Sequence, residues 1–157
     1  MTHDIRIELL ADNSHLIGAI EKWFEDEWPG YYGPRGLGNA RKELETCCNR
    51  IKLPIALVAV NDNGVYGTVA LKSESASHTH LSPWLAALYV TPEMRRKGLG
   101  LRLVKAVEKL AIEMGSKTIY ARSDTAADFF ERMGWTGIDK TVFQGQELTI
   151  FKNDIMP

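Results

Sequence analysis

No apolar run in this sequence approaches the roughly 20 residues that cross a bilayer as a helix. The first residues carry no basic stretch followed by an apolar one, so no secretory signal is expected. Cysteine is scarce. Only Cys47 and Cys48 occur, and as chain neighbours they make a poor disulfide pair. A disulfide framework is therefore excluded. Two reduced thiols in or near a helix are expected, in a reducing cytoplasm. A charge surplus is lacking too, the net charge being −1. That argues against the strongly basic face on which nucleic-acid binding depends. Repeats, low-complexity tracts and linker-like segments are also missing.

What is present fits one globular domain. The 157 residues, 45% apolar and 25% charged, suffice for one core of ordinary composition. The charge is unevenly placed. Arg95, Arg96 and Lys97 form a compact basic run, and Glu21, Glu25, Asp26 and Glu27 an acidic one.

The periodicity gives an element order. Residues 5–10 read as a first strand. Leu16, Ile17, Ile20, Trp23 and Phe24 recur at helical steps, with Asp12, Asn13 or Ser14 as a cap. Residues 28–34 hold two prolines and two glycines and should break that helix. A second helix is predicted over 40–50, with Leu44, Cys47, Cys48 and Ile51 on one face. Residues 55–60 and 65–71 read as a hairpin around Asn61-Asp62-Asn63-Gly64. A polar loop over 73–80 leads to an apolar strand over 84–90. A long helix over 98–114 carries Leu99, Leu103, Val107, Leu110 and Met114 as its stripe, with Gly115 as the stop. A strand over 117–122, a short helix over 125–133 stopped by Gly134, and a hairpin over 135–142 and 147–151 complete the chain. The order predicts an α/β or α+β domain with a mixed sheet.

One segment points to chemistry. An apolar strand ends at Val90, a short loop turns, and a helix begins at Gly98. The first turn of a helix has unpaired N–H groups and a partial positive charge, which suit an anion. Gly98 and Gly100 let a phosphate approach the main chain closely, and Arg95, Arg96 and Lys97 add charge for a polyanion. A diphosphate or larger ligand is implied. A P-loop would need Gly-Lys followed by Ser or Thr, which is absent. A dinucleotide fingerprint would need a third glycine where Leu103 falls, and an acidic residue ending the next strand, which Ile119-Tyr120-Ala121 lacks.

The run Arg95-x-x-Gly98-x-Gly100 after an apolar strand resembles the signature of the GCN5-related N-acetyltransferase superfamily. A second block, from Ala126 through Phe129, Phe130, Glu131 and Gly134 to Trp135, is similar to the family's later helix and turn, in the right order. The resemblance covers nearly the whole chain. It implies a mixed, mostly antiparallel sheet of about six to seven strands, splayed in the middle and flanked by about four helices. It implies acetyl-CoA as cosubstrate, with no metal. Main-chain N–H groups from Arg96 through Lys97, Gly98, Leu99 and Gly100 to Leu101 would bind the CoA pyrophosphate. Leu88 and Val90, flanking Tyr89, would hold the pantetheine arm through their backbone, and the Leu88 N–H would polarise the thioester carbonyl. Ser123 falls where many relatives carry a cofactor-contacting asparagine. Phe129 and Phe130 would pack against the CoA arm. Relatives often form homodimers.

Two departures follow from the same resemblance. Many relatives have a tyrosine at the Phe130 position that protonates the departing thiolate, and phenylalanine has no proton to give. Some carry a glutamate base where this chain has Trp84. The expected activity is direct acetyl transfer to a primary amine of a small molecule or peptide, without a covalent enzyme intermediate. Glu25, Asp26, Glu27, His78, His80 and Asp124 are the possible bases. Trp28, Tyr31, Tyr32 and Trp84 are expected to wall the acceptor site, for a cationic or apolar amine. A catalytically silent acyl-CoA-binding module is the alternative, favoured by the missing tyrosine.

Overall fold

The computed structural model describes residues 4–75, 78–123, 126–143 and 145–155. Asp124 lies outside them. A seven-stranded sheet runs in the order β1-β2-β3-β4-β5-β7-β6. Its strands are β1 (Arg6–Leu9), β2 (Ile55–Asn61), β3 (Gly64–Lys72), β4 (Trp84–Val90), β5 (Thr118–Ser123), β6 (Thr136–Phe143) and β7 (Gln146–Asp154). Every neighbouring pair is antiparallel except β4 with β5.

The strands are apolar on both faces because both are covered. On one face α4 (Leu99–Glu113) and α5 (Ala127–Arg132) pack over Leu57, Val69, Leu85, Ile119, Ala121 and Phe151. On the other, α1 (Ile17–Glu27) and α3 (Ala40–Thr46) cover Ala56, Val58, Val60 and Ala70. Ile17, Ile20 and Phe24 form the buried stripe of α1. Glycine stops α4 and α5 as expected: Gly115 and Gly134 both sit at φ +89° just past the helix ends. The next amide reaches back to Ala111 O in the first case (2.9 Å) and to Phe130 O in the second (3.0 Å).

Several details depart from the pattern-based expectations. No side chain caps α1. Two 3-10 turns, Leu10–Asp12 and Ser14–Leu16, feed it instead. Residues 28–34 do end α1, but Pro29 then opens a further single turn, α2 (Pro29–Tyr32), because proline's fixed φ suits a first helical position. The helix α3 stops at Thr46. The Asn49 side chain bonds the carbonyls of Thr46 and Pro54 and turns the chain out, leaving Ile51 88% exposed. On α4 the buried face includes Val104, Glu108 and Ala111, whereas Met114 is exposed, since the helix lies broadly on the sheet and its last turn overhangs.

Candidate active site

The strands β4 and β5 meet only at Trp84 and Tyr120 and then diverge. The Tyr120 amide also bonds the Pro83 carbonyl at 3.0 Å. Beyond this vertex one edge of β4 has no strand beside it. The Thr91 amide bonds Tyr66 O on β3 (2.9 Å). By antiparallel alternation Tyr89 also turns its main chain to β3, and Leu88 and Val90 turn theirs to the gap. A bulge sits on this edge: Val69 of β3 opposes both Ala87 and Leu88, between the pairs Thr68 with Tyr89 and Ala70 with Ala86. Ala87 is held at φ +54°, a conformation that costs an alanine about 1–2 kcal/mol. Such a residue persists only where its surroundings impose it, and it re-aims the amide that follows, that of Leu88.

At the far end of the gap the loop after β4 enters α4. Gly98 precedes the helix at φ +82°, and no side chain caps it. An added Cβ there would meet nothing within 4 Å. The first intrahelical bond runs from Arg102 N to Gly98 O. The amides of Leu99, Gly100 and Leu101 therefore have no carbonyl within the helix to bond. Arg96 also has positive φ, +62°, so the main chain curls as anion-binding nests do. Arg96 and Lys97 are exposed, and among the described residues no carboxylate pairs with either. Gly100 faces the Phe129 ring, which a Cβ added there would meet at 3.5 Å.

The other predicted positions sort themselves by face. Arg95 is turned back on the strand, with Nε donating to Val90 O at 2.8 Å and its guanidinium 5.4 Å from the Tyr89 ring. One Val90 acceptor site is thus already engaged. The Tyr89 ring lies on the α1 side, stacked on Trp23 at 5.1 Å. Phe130 departs from expectation: it is 3% exposed, wedged between Trp135 and Phe151 in the core. Phe129 is the aromatic of that pair that reaches Gly100. Ser123 Oγ accepts the Ala126 amide at 3.0 Å and so fixes the entry to α5.

On the α1 side, two expected wall residues belong to the frame. Trp84 is 2% exposed, and its indole N–H is spent on Leu81 O. The Tyr32 hydroxyl donates to Glu43 Oε1 at 2.9 Å, and burial above all pushes the phenol far above its ordinary pKa. Trp28 and Tyr31 remain half-buried beside the gap, Trp28 against Tyr89 and Tyr31 edge-on to Phe143 at 5.6 Å. The structure adds Arg122 and Asp139, which were not among the expected residues, and gives a partner to His78, which was among the possible bases. Arg122 lies over the Phe143 ring at 4.5 Å. His78 Nε2 lies 2.8 Å from Asp139 Oδ2, with its ring 6.5 Å from that of Trp84. Strand alternation was the available signal for Arg122, because Ile119 and Ala121 claim the opposite face. Asp139 had none, being distant in sequence from His78.

Burial pushes both thiols up in pKa, which is the reverse of what a nucleophile needs. Among the described residues no three His, Cys, Asp or Glu side chains gather as metal ligands, and no helix is long and apolar enough to cross a membrane.

A splayed mixed sheet with a bare helix start beside the gap is the architecture of an acetyltransferase. A family model for the GNAT acetyltransferase domain matches residues 53–137, more than half of the chain, which belongs to that family. No curated protein matches the sequence. Among solved structures, an aminoglycoside 6'-N-acetyltransferase complexed with coenzyme A superposes with a TM-score of 0.78 at 18% identity, over 98% of this chain and 97% of that one. The aminoglycoside 6'-N-acetyltransferase from Enterococcus faecium gives 0.76 at 19%, over 97% and 98%. NAA60 of Arabidopsis thaliana with acetyl-CoA gives 0.74 at 15%, over 96% and 98%. At these identities the likeness is one of fold.

Proposed function

We propose that the protein transfers the acetyl group of acetyl-CoA to a primary amine of a small molecule or peptide. The observation that carries this reading is the pairing of an open β4 edge with an uncapped, basic helix start at its end. The amides of Leu99, Gly100 and Leu101, with Arg96 and Lys97, fit a diphosphate. The open edge at Leu88 fits an extended amide-bearing arm, and the Leu88 N–H fits a carbonyl oxygen that gains charge. Acetyl-CoA, when bound, supplies the acetyl group, which the acceptor takes directly in a ternary complex.

The chain's own residues then have two tasks. One is to hold amine and thioester together in a dry cleft, for which Trp28, Tyr31 and Tyr89 supply the wall. The other is to take a proton from the ammonium before attack. Of the possible bases among the described residues, His78 alone is paired with a carboxylate on the acceptor face. Its bond to Asp139 fixes the ring, with Nε2 donating to the carboxylate. That bond, foremost, holds the Asp139 carboxyl below its ordinary pKa, so the partner stays ionised to stabilise an imidazolium.

A second reading, a silent acyl-CoA-binding module, has one observation in its favour: Phe130 is buried and offers no proton to a departing thiolate. Thiol release from acetyl-CoA across an amine panel separates the two. An acetyltransferase releases free thiol with at least one amine, whereas a module binds CoA and releases none.

A further inference from the structure

On β5, Ile119 and Ala121 point into the core beneath α4, so Tyr120 and Arg122 project from the other face, toward α1 and α2. Arg122 sits two residues beyond Tyr120, the partner of Trp84. The two strands run parallel, so Arg122 stands level with Ala86, just short of the bulge at Ala87 and Leu88. The guanidinium is half-buried, and burial lowers its pKa from the ordinary value. A buried cation ordinarily finds a carboxylate. This one has none among the described residues. Its face lies on the Phe143 ring, which leaves the N–H edge unspent, and no described residue accepts a hydrogen bond from it.

The nearby acids among the described residues are already engaged. Asp139 is on the same face, two strands away across Ile150, and is bonded to His78. Glu43 is bonded to Tyr32 and paired with Lys72. The Tyr31 phenol feels the Arg122 charge but is no counter-ion, since desolvation keeps it protonated.

We propose that Arg122 is the anchor for a carboxylate on the acceptor, so that the preferred substrates are amines carrying a carboxylate, of amino-acid type. This rests on the acetyl-transfer reading above and narrows it. An acceptor held by its carboxylate at Arg122 places its amine toward the bulge about two residues along β4, roughly 7 Å away. The guanidinium fork matches a carboxylate in two parallel hydrogen bonds. A polyamine or aminosugar would set a second cation against the same charge. The cationic acceptor expected from the aromatic wall is thereby disfavoured.

The test pairs acids with their neutral twins. Free amino acids, their amides and a simple diamine are compared as acceptors by thiol release. In parallel, CoA-loaded protein is titrated calorimetrically with N-acetylamino acids and with their amides. The acid is expected to surpass the amide about ten- to hundredfold in both measurements, with the ratio falling to near one in Arg122→Gln. A wild-type acid-to-amide ratio near one, or a preference that survives Arg122→Gln, overturns the proposal. The wild-type ratio decides even if the variant fails to fold. If no amine releases thiol yet the acid still binds better than its amide, the anion site stands and acetyl transfer is what fails.

Discussion

Trp84 and Tyr120 are the single point at which β4 and β5 pair, with ring centroids 5.6 Å apart. One aromatic contact thus closes the base of the gap, and the strands are free to part beyond it. Trp84 is locked from below by its bond to Leu81 O. Replacing Trp84 by alanine removes the wedge and a buried indole, a loss of about 3–5 kcal/mol for a truncation of this size. Urea denaturation reads the loss directly, and acetyl-CoA affinity should fall with it.

Gly98→Glu is expected to abolish acetyl-CoA binding while the fold survives. The position is open, so bulk alone is tolerated. The new carboxylate would stand where the diphosphate belongs, and its left-handed φ adds about 1–2 kcal/mol of strain. Gly98→Ala bears the same backbone cost without the charge and should bind far better than Gly98→Glu. Calorimetric titration with acetyl-CoA compares the two.

If His78 takes the amine proton, His78→Gln should lower kcat on the best acceptor by about a hundredfold with the KM for acetyl-CoA unchanged. Asp139→Asn should give a smaller loss of the same kind. Steady-state kinetics of each variant on the same acceptor check this, and a fall in kcat with an unchanged KM for acetyl-CoA is the specific sign.

Glu108 tells of stability rather than chemistry. It is a nearly buried carboxylate on α4 that accepts from Trp135 Nε1 (3.2 Å) and Asn153 Nδ2 (2.7 Å), tying α4 to β7 and to the turn after α5. Glu108→Ala leaves both donors unpaired, at about 1–3 kcal/mol, a fall of several degrees in Tm. Thermal unfolding should show it without any change in acetyl-CoA affinity.

The thiols supply a pH dependence. Their pKa values are raised in the fold, chiefly by burial, so the folded state holds protons that the unfolded chain gives up. Stability from this source is full below the ordinary thiol range, near pH 8.5, and is lost as pH rises above it. Cys47, the more buried, should resist iodoacetamide at neutral pH until urea unfolds the chain. Mass spectrometry of alkylated peptides gives the result.

Much of this was legible in the sequence because the physics there is local. The start of α4 announces itself through Gly98, Gly100 and the basic run, and β4 through an unbroken apolar stretch. The seven strands follow from period and turn residues. What was hidden is set by pairing between distant segments. Nothing near Tyr32 says that its hydroxyl will find Glu43, nor near Phe130 that its ring will join Trp135 and Phe151 in the core. The Asp139 side chain becomes a partner for His78 only because β6 returns along the sheet's outer edge.

The most direct measurement is a crystal structure of the protein grown with acetyl-CoA. The diphosphate is expected on the amides of Leu99, Gly100 and Leu101, with the thioester carbonyl at the Leu88 N–H and the arm lying in the gap between β4 and β5. A diphosphate bound anywhere else, or a gap closed by protein, would contradict the assignment.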